Sequence, residues 1–245
     1  MNSYAQWIFI SPHLDDVALS CGGLVWRLAQ EGQRVSIWTL LAGDPPDDHY
    51  SEFAQINHQA WGKDGAEAIT MRRDEDRAAC ARLGAGFRHF DLPDVIYRRD
   101  PKSGKPVVNN NDELFGKPPE PAMVTRVAEL LTREVSPEAQ LVLPLGLGGH
   151  IDHRLVAAAT EDFYRTAAFY LDYPYILNDF EAPILKSGAL RKVDTPLSAE
   201  ALLAWQDAVL CYGSQIGGFW RDEKETRLAL RNYFAGSGGR LWVRT

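Results

Sequence analysis

Residues 7–41 read WIFISPHLDDVALSCGGLVWRLAQEGQRVSIWTLL, and this stretch decides the fold. The apolar run Trp7–Ile10 is short and bulky and is stopped by Ser11-Pro12, the pattern of a buried strand. From Val17 to Gln30 the apolar residues Val17, Leu24, Val25 and Leu28 recur at helical spacing, and Gly32 closes the helix. Arg34–Leu41 is again rich in β-branched and aromatic residues, ahead of the turn-prone Gly43-Asp44-Pro45-Pro46. Strand, helix and strand in such close succession make a βαβ unit, which requires a parallel pair and a right-handed crossover.

Outward from that unit the alternation continues. Ala66–Leu83 is helical and closes at Gly84, Phe87–Phe90 is a short strand, and Pro121–Glu134 is a helix that starts on proline. Leu141–Pro144 reads as a buried strand and Asp152–Tyr164 as another helix. Residues 91–120, with their prolines, glycines and Asn109-Asn110-Asn111, read as a long surface excursion. Past Tyr170 the pattern weakens: residues 170–183 are expected to be loop, Ile184–Gly188 strand, and Ala199–Cys211 and Glu223–Phe234 helices. Neither a repeat nor a linker divides the chain. The expected architecture over residues 1–245 is therefore a single-domain, Rossmann-like α/β fold, a mostly parallel sheet flanked by helices with an irregular C-terminal portion.

Composition narrows the function. The chain has 245 residues, with 45% hydrophobic and 24% charged, as in an ordinary globular protein. A net charge of −7 argues against a nucleic-acid partner, which calls for a basic face. The three cysteines, Cys21, Cys80 and Cys211, are scattered and odd in number; they form neither a disulfide framework nor a cysteine metal site, and they fit a reducing compartment. With no signal-peptide pattern and no 18-residue apolar run, a cytoplasmic protein without a membrane partner is expected. Composition leaves the oligomeric state open.

Two clusters carry chemistry. Ser11-Pro12-His13-Leu14-Asp15-Asp16 directly follows the first strand, where sites form in open parallel sheets. His13 and Asp16, at i and i+3, could face one point, leaving Asp15 free for proton transfer; the plainer alternative is that an aspartate only caps the next helix. Gly148-Gly149-His150-Ile151-Asp152-His153 likewise follows a strand and opens a helix. His150 and His153 are again three apart, and Asp152 could orient an imidazole from behind. Histidine nitrogen and aspartate oxygen without cysteine is the donor set of a catalytic zinc site with an open position, and ferrous iron would suit it too. Metal-assisted hydrolysis follows, with a carboxylate outside the ligand set as base.

The coupled motifs SPHLDD and GGHIDH resemble the LmbE-like or PIG-L family of metal-dependent N-acetylglucosaminyl deacetylases. Two further stretches support the resemblance: Arg72-Arg73-Asp74-Glu75 in a helix ending at Leu83-Gly84, and Tyr212-Gly213-Ser214-Gln215. The resemblance implies His13, Asp16 and His153 as zinc ligands and Asp15 as the general base activating water. It implies His150 as the imidazole that stabilises the oxyanion or protonates the leaving amine. Arg72 and Asp94 would line the sugar site, although Arg72 could equally pair with Glu75 or Asp76 in its own helix. The implied substrate is a small N-acylated sugar or glycoconjugate. The sequence departs from the common H-P-D-D-E at Leu14 and Val17, and Gly148-Gly149 stands where some members carry a tyrosine near the oxyanion.

Other readings compete with this one. A related amidase could act on a non-glucosamine acylated metabolite, and a non-catalytic sugar- or nucleotide-binding module would share the βαβ opening. No G-x-G-x-x-G supports a dinucleotide. Arg72-Arg73 alternates with acids and reads as a salt-bridged helix face, Asp47-Asp48-His49 as solvated loop. Tyr170, Tyr173 and Tyr175 either rim a carbohydrate site or pack a loop.

Overall fold

A computed structural model describes residues 6–179, 182–236 and 238–245. Its first strand, β1 (Gln6–Ser11), is buried along nearly all its length. Trp7 and Phe9 point to one face and Ile8 and Ile10 to the other, each into its own apolar cluster. Burial of both faces is why β1 reads as a continuous hydrophobic run rather than an alternating one. The chain then enters helix α1 (Asp16–Gln30) and returns as β2 (Val35–Thr39), parallel to β1 from Trp7↔Val35 to Ser11↔Thr39. The expected βαβ unit is present.

Helices α2 (Glu52–Trp61) and α3 (Gly65–Leu83) lead to strand β3 (Gly86–His89), parallel to β2. The short α4 (Asn111–Gly116) and the longer α5 (Pro121–Glu134) precede β4 (Ala139–Pro144), which lies on the other side of β1. Helix α6 (Ile151–Ala159) connects to β5 (Ala168–Tyr170), parallel to β4. Helix α7 (Pro183–Lys186), strand β6 (Leu190–Lys192), helices α8 (Ala199–Val209), α9 (Gly213–Phe219) and α10 (Glu223–Ala235), and strand β7 (Trp242–Arg244) complete the chain. The sheet order is β3-β2-β1-β4-β5-β7-β6, with β7 antiparallel to both β5 and β6. The mostly parallel α/β class read from the sequence is the observed one.

The order in which successive strands are added reverses between the parallel neighbours β1 and β4: β2 and β3 lie on one side, β5 on the other. A crevice opens at such a switch point beyond the carboxyl ends of the two strands. The His13 and His150 motifs follow those two strand ends.

One face of the sheet is covered by α1 and α3, with α8 packed on α1. Contact with α8 depends on Gly22 and Gly23, where a Cβ would lie 2.7 and 3.0 Å from Trp205. Trp205 is fully buried and its indole N–H donates to the Ala18 carbonyl, so it has no room to retreat.

Several local expectations need correction. Ile184–Gly188 is not a strand: Pro183 at the first position starts the short helix α7. Residues 91–120 are more than a surface excursion, because Val95, Ile96, Tyr97 and Val108 are buried in one apolar cluster with Ile151 and Ile69. Strand β5 begins before the loop expected from residue 170, and residues 180–181 of that loop lie outside the described residues. The expected helix Asp152–Tyr164 ends at Ala159 and continues as a 3-10 turn. Among the described residues no helix is long and apolar enough to cross a membrane.

Candidate active site

The loop after β1 concentrates polar groups at one point. The Ser11 hydroxyl donates to the His13 carbonyl (2.7 Å) and accepts from the Val17 N–H (3.3 Å). The His13 N–H donates to Asp16 Oδ2 at 2.7 Å, turning that carboxylate back over the loop. Asp15 stands at the N-cap of α1 but its side chain makes no capping bond, so the plain capping role is not the one it plays. Its backbone sits at φ 145°, a strained value for a residue with a Cβ. The carboxylate is 6% exposed and is aimed into the crevice, with Arg72 at 4.0 Å.

The second motif opens α6. The Asp152 N–H donates to His150 Nδ1 at 3.2 Å, so the imidazole caps the helix. A backbone donor at Nδ1 fixes the neutral tautomer with hydrogen on Nε2. One turn on, His153 Nδ1 lies 2.8 Å from Asp172, which also accepts the Leu147 N–H at 3.0 Å. Asp172 comes from the loop after β5 and was not singled out in the sequence.

The two motifs meet. Asp16 lies between the two imidazoles, with Oδ2 3.4 Å from His13 Nδ1 and Oδ1 3.3 Å from His153 Nε2. The rings of His13, His150 and His153 are 5.0 to 5.5 Å apart, and their ligand atoms lie within 4.8 Å of one another. Asp94 and Asp152 approach His13 Nε2 at 3.7 and 3.0 Å. The imidazole that Asp152 orients is thus that of His13, across the crevice.

Electrostatics show which charge the cluster favours. Buried within it are five aspartates (Asp15, Asp16, Asp94, Asp152, Asp172) and two arginines (Arg72, Arg98). Burial alone would lower His153, yet Asp16 and Asp172 raise it to about 10. His13 is likewise lifted well above its ordinary value by Asp94, Asp152 and Asp16 against the effect of burial. Burial, then the neighbouring Asp16 charge, pushes Asp15 up to about 8, against the pull of Arg72, His13 and His153. Burial would raise Asp16 too, but His153 and His13 hold it well below the carboxylate range. His150 goes the other way, lowered by burial and by the positive His13 and His153. The cluster draws in positive charge, and among the described residues the buried His153 Nε2 makes no hydrogen bond, with the Asp16 carboxylate 3.3 Å away. A divalent cation fits this donor set of imidazole nitrogen and carboxylate oxygen, with no cysteine beside it.

The segment 91–120 closes one wall. Asp152 accepts from the Val95 N–H at 3.0 Å and from Arg98 at 2.6 Å, and Arg98 forks onto both oxygens of Glu120 at 2.8 and 3.0 Å. Asp94 caps the 3-10 turn Val95–Tyr97 and stands 4.0 Å from Arg72.

Arg72 is buried in the crevice wall, so the salt-bridged helix face expected for residues 72–76 does not extend to its inward residues. Its guanidinium lies over the Trp61 ring at 4.7 Å. With its amide oxygen toward them, Gln215 accepts from Arg72 Nε and Trp61 Nε1, each at 3.3 Å. Asp76 also turns inward and accepts the Tyr212 hydroxyl at 2.7 Å, while Glu75 accepts from Ser214. The two weaker sequence stretches are therefore bonded partners in space. Of the three tyrosines, Tyr170 and Tyr173 are core. Tyr175 lies against His153 with ring centroids 5.1 Å apart.

Comparison with known proteins agrees with this geometry. The sequence signature of PIG-L, described as GlcNAc-PI de-N-acetylase, matches residues 8–164. A 2'-N-acetylparomamine deacetylase of Niallia circulans is 27% identical over 243 residues, covering 91% of this chain and 85% of its own. The crystal structure of a zinc-inhibited form of teicoplanin deacetylase Orf2 superposes with a TM-score of 0.75 at 27% identity, over 98% of each chain. A deacetylase–teicoplanin complex from the teicoplanin biosynthesis pathway gives a TM-score of 0.77 at 26% identity, again over 98% of each chain.

Proposed function

The chain belongs to the PIG-L family of de-N-acetylases, and on that premise we propose that it is a zinc-dependent deacetylase freeing the amine of an N-acetylglucosamine-containing small molecule. His13, Asp16 and His153 would hold the ion. The observation that carries this reading is the Asp16 carboxylate set between His13 Nδ1 and His153 Nε2 at two adjacent strand ends. A divalent cation so placed supplies Lewis acidity, polarising the amide carbonyl and making water more acidic.

The protein's own groups do the rest. Asp15, buried beside the ligand set, takes a proton from the attacking water and returns it to the departing nitrogen, so amide and water become amine and acetic acid. With hydrogen on Nε2, His150 donates to the oxygen as negative charge gathers there. Asp152 and Asp172 act behind the ligands, holding the His13 and His153 rings by their outward nitrogens. Arg72 and Asp94 face the crevice from the polar wall and suit sugar hydroxyls. We assign all 245 residues to one catalytic domain acting in the cytoplasm, where free cysteines such as the buried Cys21 and Cys80 stay reduced.

Zinc-loaded protein incubated with methyl N-acetylglucosaminide and with N-acetylated aminoglycosides should release primary amine. Asp15→Asn should lower kcat by a factor on the order of 100 to 10,000 while still binding zinc. Parent-level turnover by Asp15→Asn, or no amine from any of these substrates, would count against the reading.

A further inference from the structure

Gly148 and Gly149 precede His150 at φ 79° and 83°. A Cβ on Gly148 would lie 2.4 Å from the Cβ of Tyr175, and one on Gly149 would lie 2.8 Å from the Phe115 carbonyl oxygen. Both contacts are closer than any side chain tolerates, so the glycine pair is what lets two other segments close on the second motif. Each segment brings an aromatic ring. Tyr175 meets His153 edge to face at 5.1 Å and reaches His150 at 6.1 Å. Phe115 stands perpendicular to His150 at 5.4 Å, 5.9 Å from Tyr175. Phe219 of α9 continues the row, 6.4 Å from Tyr175. Phe115 is 37% exposed on α4, whose following residue Lys117 is tied to α6 by a bond from Arg154 to its carbonyl at 3.2 Å. An apolar ring is thus fixed at the crevice rim, perpendicular to the His150 imidazole.

The crevice therefore has two unlike walls. Asp94, Arg72 and Asp15 form a charged wall reached across His13. Phe115, Tyr175 and Phe219 form an aromatic wall reached across His150 and His153. An amide carbon carries three substituents. Its oxygen turns to the histidines, its nitrogen bears the polyhydroxylated sugar that suits the charged wall, and its acyl group is left for the aromatic wall.

We infer that Phe115, Tyr175 and Phe219 form an acyl subsite that takes linear chains longer than acetyl, so that the enzyme is an N-deacylase of acylated amino sugars. This rests on the deacetylase reading above. Each methylene laid on such a wall leaves water and adds to binding, and Phe115 can be truncated without opening the core because it is at the surface.

The test compares methyl glucosaminides bearing N-acetyl, N-butanoyl and N-hexanoyl groups. Zinc-loaded parent protein should hydrolyse the hexanoyl compound with a kcat/KM at least equal to that for acetyl. Calorimetry on Asp15→Asn should show the hexanoyl compound bound at least tenfold more tightly than the acetyl one. Phe115→Ala should lower the hexanoyl-to-acetyl ratio of kcat/KM about tenfold, and Phe219→Ala should lower it in the same direction. Hydrolysis of acetyl with a steep fall along the series, or a ratio that neither variant moves, overturns the acyl subsite and leaves the deacetylase reading standing. No amine from any member overturns both.

Discussion

Asp15 concentrates the tension between stability and function at the scale of one residue. Its φ of 145° and its buried carboxylate beside Asp16 both disfavour the native state. Asp15→Gly removes the backbone strain as well as the charge, whereas Asp15→Asn keeps the strain. Asp15→Gly should therefore be the more stable of the two by about 1 kcal/mol in urea unfolding, with kcat lowered at least about 100-fold in both. Equal stabilities would show that the strain is absorbed elsewhere. Asp172 makes the opposite kind of contribution, since it orients His153 from behind without reaching the reacting atoms. Asp172→Asn should weaken zinc affinity roughly 10- to 100-fold, measured by competition with a chromogenic chelator. The sequence motifs disclose His13, Asp15, Asp16, His150 and His153 because each group is local, within four residues. They do not disclose Asp172, Arg98, Trp61 or Phe115, which reach the crevice from loops and helices far along the chain. Lone residues of these types carry no spacing signal.

Among the elements, α1 is readable from its apolar periodicity and α3 from its closing glycine, while the segment between β3 and α5 is not. Its 3-10 turn is only three residues long, and its burial depends on contacts with α2 and α6 that no local pattern encodes. The C-terminal strands β6 and β7 have three residues each and pair antiparallel at the sheet edge, too short for alternation to register. The α1–α8 contact is a tertiary event that leaves one trace in the sequence, the pair Gly22-Gly23. Gly22→Ala sets a methyl 2.7 Å from the Trp205 ring and should destabilise the protein by about 1–3 kcal/mol in chemical unfolding. A neutral result would mean that α8 can slide on α1. The interior of α3 shows how tertiary partners turn Arg72 and Asp76 inward. Charged residues at every position from 72 to 77 suggest a salt-bridged face, yet two of them turn inward because Asp15, Asp94, Tyr212 and His89 offer partners there.

For the molecule as a whole, folding gathers five buried aspartates at the sheet's switch point, and the bound ion should be part of its stability. A ligand present at a thousand times its Kd stabilises the native state by about 4 kcal/mol. Stripping zinc with a chelator should accordingly lower Tm by roughly 10 °C for a chain of this size. His13→Ala should melt at one temperature with or without zinc. A parent protein indifferent to the chelator would argue against a resident ion. By itself the sequence determined the α/β class, the strand ends where the site forms, and the residue types that suit a hydrolytic metal. These follow from hydrophobic period and from polar groups clustered within a few residues, both local properties of the chain. The tertiary structure alone decided which imidazole Asp152 holds, that Asp172 stands behind His153, and that the crevice has one charged and one aromatic wall. Those depend on contacts between distant segments, fixed by close packing around glycines rather than by any pattern along the chain.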